Sequence, residues 1–331
     1  MRLARRAAWT LLAAVYLLAI FPDFFSPSPP ARQFREFPYS PPGRHGGGPV
    51  EWLARGEPYR WLGLVPASTR LFTSREPGAL FLLGSDEFGR DWYSRLCHGA
   101  SVSLLLAPAA GMCSLILAIA LGAWAGYRGG LVDSLVMRGS ELFVVLPWFY
   151  VLVALRAALP LTMTGPATLL TMFALLGVLG CAAPARLFRG LVLTIRTREF
   201  VVAAQSSGAG AIHILRSHVL PQLLPTARTQ FLLALPAYII AEVTLSFLGL
   251  GVAEATPTWG GMLVPLQQYV VLTSYPWMFA PAVAVVAVCA ALQIVAGHTP
   301  DAHGRGGQPR AAGRRHQDSV AASMPIASNA R

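Results

Sequence analysis

Six apolar runs, at residues 7–21, 101–125, 142–159, 165–183, about 229–251 and 278–297, set the terms on which this chain folds. Each needs a surrounding as apolar as itself. A hydrocarbon layer ~30 Å thick is crossed by roughly 20 helical residues. Inside it no water satisfies backbone N–H and C=O groups, so the runs are expected as helices. The first run, 15 residues long, implies tilt or local thinning of the bilayer. Pro108 in the second and Pro147 in the third are tolerated as kinks. Only 12% of residues are charged, about half the share of a soluble domain. The expected architecture is an all-α integral membrane protein with six transmembrane helices.

Charge placement gives the expected orientation. All 26 side chains in the Lys and Arg total are arginine, so the net charge of +11 is read by position and not as a nucleic-acid surface. Arg2, Arg5 and Arg6 precede the first run in the manner of a signal peptide. Pro22, Asp23, Pro27, Pro29 and Pro30 then crowd the place where cleavage would occur. An uncleaved first span with a cytoplasmic N-terminus is expected. Arg128 and Arg138 mark the loop before the third run as cytoplasmic, and Arg186, Arg189, Arg196, Arg198 and Arg216 do the same between the fourth and fifth. Six spans return the C-terminus to the cytoplasm. Residues 22–99 form a long outside segment rich in Pro, Gly and Arg, after which Trp92, Tyr93 and Leu96 are expected in the headgroup layer.

Several chemistries are excluded. A chain without lysine cannot build a Gly-x4-Gly-Lys-Ser/Thr phosphate loop. It has no Gly-x-Ser-x-Gly elbow and no His-Glu-x-x-His. Cys97, Cys113, Cys181 and Cys289 are scattered without zinc or redox spacing, and the seven histidines show no paired ligand spacing. No catalytic residue, metal or cofactor is expected in this chain.

Two features remain. Between the fourth and fifth runs, residues 196–225 form a polar interruption carrying Glu199, Ala203, Ala204, Gly208, His218, Leu220 and Pro221. A helix-compatible run ends at Gly208, which tolerates positive φ. A second short segment follows, and Pro221 and Pro225 are expected to limit it. The result is a helix-turn-helix knob. Within the fifth run stands Glu242, roughly 20 Å past Arg228 and beyond the bilayer midplane. An acid there costs several kcal/mol unless it faces protein or water. It is expected either to line a path or to pair structurally, with Arg156 of the third run or with a subunit partner.

The spacing Ala203-Ala204, three residues, Gly208, nine residues, then His218-Val219-Leu220-Pro221 resembles the cytoplasmic coupling loop of the inner-membrane permease subunits of binding-protein-dependent ABC importers, with Val202 where that motif has Glu. Leu83-Gly84-Ser85-Asp86-Glu87-Phe88-Gly89-Arg90-Asp91 is similar to the Leu-Gly-Thr-Asp-x-x-Gly-Arg-Asp signature of the peptide-permease branch, with Ser85 for Thr. The segment from Gly126 through Asp133 to Met137-Arg138, the run from Ala241 to Gly251, and Pro257-Thr258-Trp259-Gly260-Gly261-Met262-Leu263 add to the resemblance.

This resemblance implies a permease domain over residues 100–297, preceded by a first span and outside segment at 1–99. It implies that the loop docks on an ATPase subunit. The implied partners are a second homologous permease subunit, two ATPase subunits that bind the ATP, and an extracytoplasmic solute-binding protein, all around a chain in the bacterial inner membrane. The implied activity is import of di- or oligopeptides, or of nickel or other peptide-like solutes, by alternating access. Residues 298–331 depart from the family's Asp-Pro ending and are expected as a disordered cytoplasmic tail. The contrasting reading is a membrane-anchored scaffold or a transport-inactive permease remnant.

Overall fold

The computed structural model describes residues 2–45, 49–61, 65–74, 79–158, 160, 165–251 and 254–297. Helix α1 (Arg2–Ile20) leads into a single turn, α2 (Pro22–Phe25), and then into an antiparallel ribbon. The ribbon is nested: β1 (Gly43–His45) pairs with β6 (Ala79–Phe81), β2 (Val50–Trp52) with β5 (Phe72–Ser74), and β3 (Arg55–Trp61) with β4 (Val65–Thr69). The expectation of an all-α chain is corrected here to a mostly helical one. On either side of an irregularity at Glu57 and Pro58, exposed and half-buried residues alternate along β3, the period of a strand with one covered face. Trp61 donates from Nε1 to the Ile20 carbonyl at 2.8 Å and stacks on Phe21 at 5.1 Å. The buried Arg70 donates to the carbonyls of Ser26 at 2.9 Å and Asp23 at 3.2 Å. The ribbon is thereby fixed to the end of α1.

The remaining helices are α3 (Trp92–Arg128), α4 (Gly130–Val145), α5 (Trp148–Ala158), α6 (Gly165–Gly180), α7 (Ala182–Ile195), α8 (Glu199–Ser206), α9 (Ala211–Ile214), α10 (Leu220–Phe247), α11 (Trp259–Leu263), α12 (Tyr269–Ser274) and α13 (Ala280–Ala296). Among the described residues, five helical segments are long and apolar enough to cross a membrane: Leu3–Ile20, Trp92–Arg128, Ala167–Ile195, Ala211–Phe247 and Pro276–Ala296. The third expected run, 142–159, is not one of them. Leu146 leaves the helical region at φ −66° and ψ 129°, because the ring of Pro147 excludes α geometry from the residue before it. Helix α4 therefore ends there, and α5 begins anew with 11 residues, about 16 Å of rise.

One apolar core runs through α1, α3, α6, α10 and α13, where Ala107, Leu104, Met172, Ile239, Leu245 and Val288 are almost fully buried. A second joins α7 and the hairpin of α8 and α9 through Ala185, Phe188, Val192, Val201, Ile214 and Val219. Close approach of α3 and α7 depends on small residues. A Cβ on Gly126 would lie 2.8 Å from the Arg189 carbonyl oxygen, and one on Gly122 would lie 3.0 Å from the Arg189 backbone nitrogen. Spacing of four puts Gly122 and Gly126 on one face, the arrangement by which membrane helices bring their backbones together.

Candidate functional site

The interruption between α7 and α10 folds as a helix, a turn and a helix. Helix α8 starts at Glu199, whose carboxylate lies in the first turn where the backbone N–H groups are unpaired. It ends in a complete Schellman turn: Gly208 N–H donates to the Gln205 carbonyl at 3.0 Å and Ala209 N–H to the Ala204 carbonyl at 3.1 Å. Gly208 has φ +83°, and no atom lies within 4 Å of a Cβ built there. Its requirement for glycine is conformational, with the space outside it open. Ala203 is exposed and Ala204 half-buried, so the tip offers small side chains and backbone.

The second segment departs from expectation. Pro221 and Pro225 do not end it; the chain passes through α9 and a π-helical turn (Leu215–Val219) directly into α10. In the π turn Leu220 N–H donates to the Leu215 carbonyl, one residue further back than in an α-helix. That shift accommodates Pro221, which occupies the first turn of α10 where a missing N–H costs nothing. His218 is half-buried, with its ring 6.2 Å from Phe200 and 6.1 Å from His213, while Leu220 and Pro221 are exposed.

Buried apolar residues hold this hairpin, and two arginines tie α7 to its neighbours. Val201, Ile214 and Val219 are fully buried against α7. Arg196 donates to the Gly126 carbonyl at 3.1 Å, and Arg189 donates to both carboxylate oxygens of Asp133, at 2.9 and 2.5 Å. The Arg189 hydrogen bond holds the Asp133 carboxyl below its ordinary range. The three anchors carry only a weak signal in the sequence, apolar positions inside an otherwise polar stretch.

At the opposite end of the helices the Ser85 to Asp91 signature is a turn tied by its own acids. Asp86 accepts from the backbone of Phe88 at 3.0 Å and of Arg90 at 2.9 Å, and from Arg90 Nε at 2.6 Å. Arg90 also pairs with Glu254. Gly84 and Gly89 have φ of +74° and +71°, and the turn is pinned to residues 34–40 through Ser85, whose Oγ donates to the Phe37 carbonyl at 2.6 Å. Asp91 caps α3, accepting from Ser94 N at 3.0 Å and Tyr93 N at 3.3 Å. Burial pushes its carboxyl up to about 7 against those hydrogen bonds. Trp92, expected in the headgroup layer, has its side chain packed inside the protein with Met262, Val271 and Met278. A pocket of about 360 Å³ opens beside this turn, and in its wall Arg95 is 4% exposed, donating to the Glu254 carbonyl at 3.1 Å.

Glu242 is fully buried. It accepts from Ser246 at 2.8 Å and Ser103 at 3.1 Å, and from the Thr258 hydroxyl and the Gly260 N–H. Four donors from α3, α10 and the start of α11 thus meet on one carboxylate. Arg156, offered as its alternative partner, lies in α5, and its side chain is outside the described residues. The expected tail, 298–331, is likewise outside them. Among the described residues no three His, Cys, Asp or Glu side chains group as a metal site would require.

Comparison with known proteins agrees with this arrangement. The family described as "Binding-protein-dependent transport system inner membrane component" matches residues 118–299, more than half of the chain. The di/tripeptide transport system permease protein DppC of Pseudomonas aeruginosa is 33% identical over 256 residues, 77% of this chain and 73% of that protein. The dipeptide permease DppC of Bacillus subtilis is 37% identical over 56% of each chain, and the oligopeptide permease OppC of the same organism is 31% identical over 64% of this chain and 67% of its own. With the family model spanning the hairpin, Glu242 and α13, and 33% identity over 77% of this chain to a relative covered to 73%, the chain belongs to the multi-pass inner-membrane components of binding-protein-dependent transport systems.

Proposed function

We propose that this chain is a permease subunit of an ABC importer for di- or oligopeptides, the solutes named for its relatives. The observation that carries the reading is the α8–α9 hairpin, a knob with a small-residue tip on a buried apolar base, continuous with a long membrane helix. In this reading the hairpin, with its arginines, faces the cytoplasm and sits in a groove of an ATPase subunit. The broken pair of α4 and α5 supplies the third crossing of a six-span topology with both termini inside.

The mechanics follow from the packing. ATP is bound by two partner ATPases; this chain supplies no phosphate loop. When they close they displace the hairpin, and Val201, Ile214 and Val219 pass the displacement to α7 as a packed unit. From Leu220 to Glu242, helix α10 reaches about 33 Å. At its far end the Glu242 carboxylate binds α10 to Ser103 of α3 and to the start of α11. Motion at the hairpin is thereby delivered beside the Asp86 turn, where a solute-binding protein would dock. A second homologous permease subunit completes the path, and the assembly alternates between inward-facing and outward-facing arrangements.

The test is reconstitution of the chain with its neighbouring permease, ATPase and receptor proteins in liposomes. ATP-dependent uptake of a labelled dipeptide is expected, together with a cross-link from Ala203→Cys to an ATPase subunit. Purification without any ATPase, and no cross-link from the hairpin, would instead indicate a scaffold.

A further inference from the structure

A groove of about 420 Å³ opens beside the hairpin. One wall is α3, where Ile119, Ala123 and Trp124 share a face. The other is the π turn and the start of α10, where Leu215, Val219 and Leu223 follow one another at intervals of four. The lining is apolar apart from Arg216 and contains no acid. Arg216 is exposed and, among the described residues, has neither a hydrogen bond nor an ion pair. Arg128, also exposed, lies one turn beyond Trp124 with its guanidinium 5.5 Å from the centre of that indole.

The two cations stand toward the hairpin end of both walls, and the apolar lining extends away from them along the spans. A trough that is hydrocarbon-like along its length and cationic at one end matches one kind of molecule in a membrane: an acyl chain ending in a phosphate. We propose that this groove binds an anionic phospholipid, its chain along Ile119, Ala123 and Leu220 and its phosphate between Arg128 and Arg216. Guanidinium donors pair with phosphate oxygens in a fixed planar geometry. The indole of Trp124 belongs at the same depth, since tryptophan collects where hydrocarbon meets headgroups. A zwitterionic lipid would fill the trough but bring its own cation against two arginines. An acidic protein segment would meet the arginines and leave the trough uncovered. The proposal rests on the cytoplasmic placement of the hairpin in the reading above, where basic residues between helix ends meet anionic headgroups.

The test uses the full chain in nanodiscs containing either brominated phosphatidylglycerol or brominated phosphatidylcholine. Bromine quenches nearby tryptophan, and subtracting the signal of a Trp124→Phe variant isolates Trp124. Stronger quenching by phosphatidylglycerol is expected, with half-saturation at lower lipid fraction by roughly fivefold per arginine. The double variant Arg128→Gln/Arg216→Gln should lose the preference and Arg128→Lys/Arg216→Lys should keep most of it. Both positions are exposed, and an unchanged melting temperature will exclude misfolding. Equal quenching by the two lipids, or a preference that survives the glutamines, would overturn the proposal. So would a cross-link from Ala120→Cys to a protein subunit, because protein would then fill the groove. Quenching needs no transport, so failed peptide uptake with the lipid preference intact would count against the importer reading alone.

Discussion

Gly208 is the position where the importer reading is most exposed to experiment. Its φ of +83° costs an L-residue about 1–2 kcal/mol, and because no atom lies within 4 Å of the added Cβ, Gly208→Ala carries no steric cost inside this chain. Gly208→Pro is different in kind. A proline ring fixes φ near −65° and removes the N–H that donates to the Gln205 carbonyl, so the turn cannot form in either respect. The lost hydrogen bond and the dihedral mismatch together come to at least ~3 kcal/mol, enough to dislodge α9 from α8. In liposomes with the partner ATPases, the alanine variant should keep substrate-stimulated ATP hydrolysis. The proline variant should lose the stimulation while remaining in the membrane at normal level. Full coupling in the proline variant would refute the reasoning. A loss in the alanine variant as severe as in the proline variant would show that space outside the hairpin, and not φ, makes glycine necessary.

Other consequences can be checked together. Ile214→Ala removes a fully buried anchor and should cost ~2–5 kcal/mol, seen as a lower melting temperature with coupling lost in proportion. Glu242→Ala strands four donors in the interior and should prevent stable assembly, whereas Glu242→Gln keeps one acceptor oxygen and should assemble with reduced uptake; size-exclusion profiles and transport assays separate the two. For Asp91, folding raises the carboxyl to about 7 from an ordinary ~3.9. Its contribution is therefore fully present below about pH 4, declines as pH rises and is gone above about pH 7. Melting temperatures of Asp91→Asn, which keeps a capping acceptor, should rise relative to the unaltered protein between pH 4 and pH 7 and hold a constant offset above that. A flat difference across that window would show that the carboxylate is ionised throughout.

Much of the arrangement was legible in the chain itself because hydrocarbon imposes so few solutions. Apolar runs of near-membrane length had to become helices. Gly208, after small residues and before another helix-compatible stretch, had to be a turn. The Asp86 to Asp91 turn before α3 follows the same local logic, since short acids placed two to four residues ahead of backbone N–H groups fold back on them. Where the reading failed, each failure has a local cause. Pro147 divides the third run, and Pro221 and Pro225 do not stop α10. The first proline acts through the residue before it, while the other two follow a π turn whose shifted bonds no periodicity reveals. The ribbon at residues 43–81 was missed because its strands are short and its polar composition looks like loop.

The sequence by itself determined that this is a membrane-embedded helical chain with a polar hairpin between two of its spans. Those properties are additive along the chain: length, apolarity and backbone geometry act residue by residue. Only the tertiary structure decided which buried groups meet. Glu242 finds its donors on Ser103, 139 positions away, and on α11. Arg189 of α7 finds Asp133 of α4. The groove of Trp124 and Leu220 forms only where α3 meets the π turn and the start of α10, stretches far apart in sequence. Such pairings depend on helix rotation and approach, which are fixed by side chains distant in sequence and close in space.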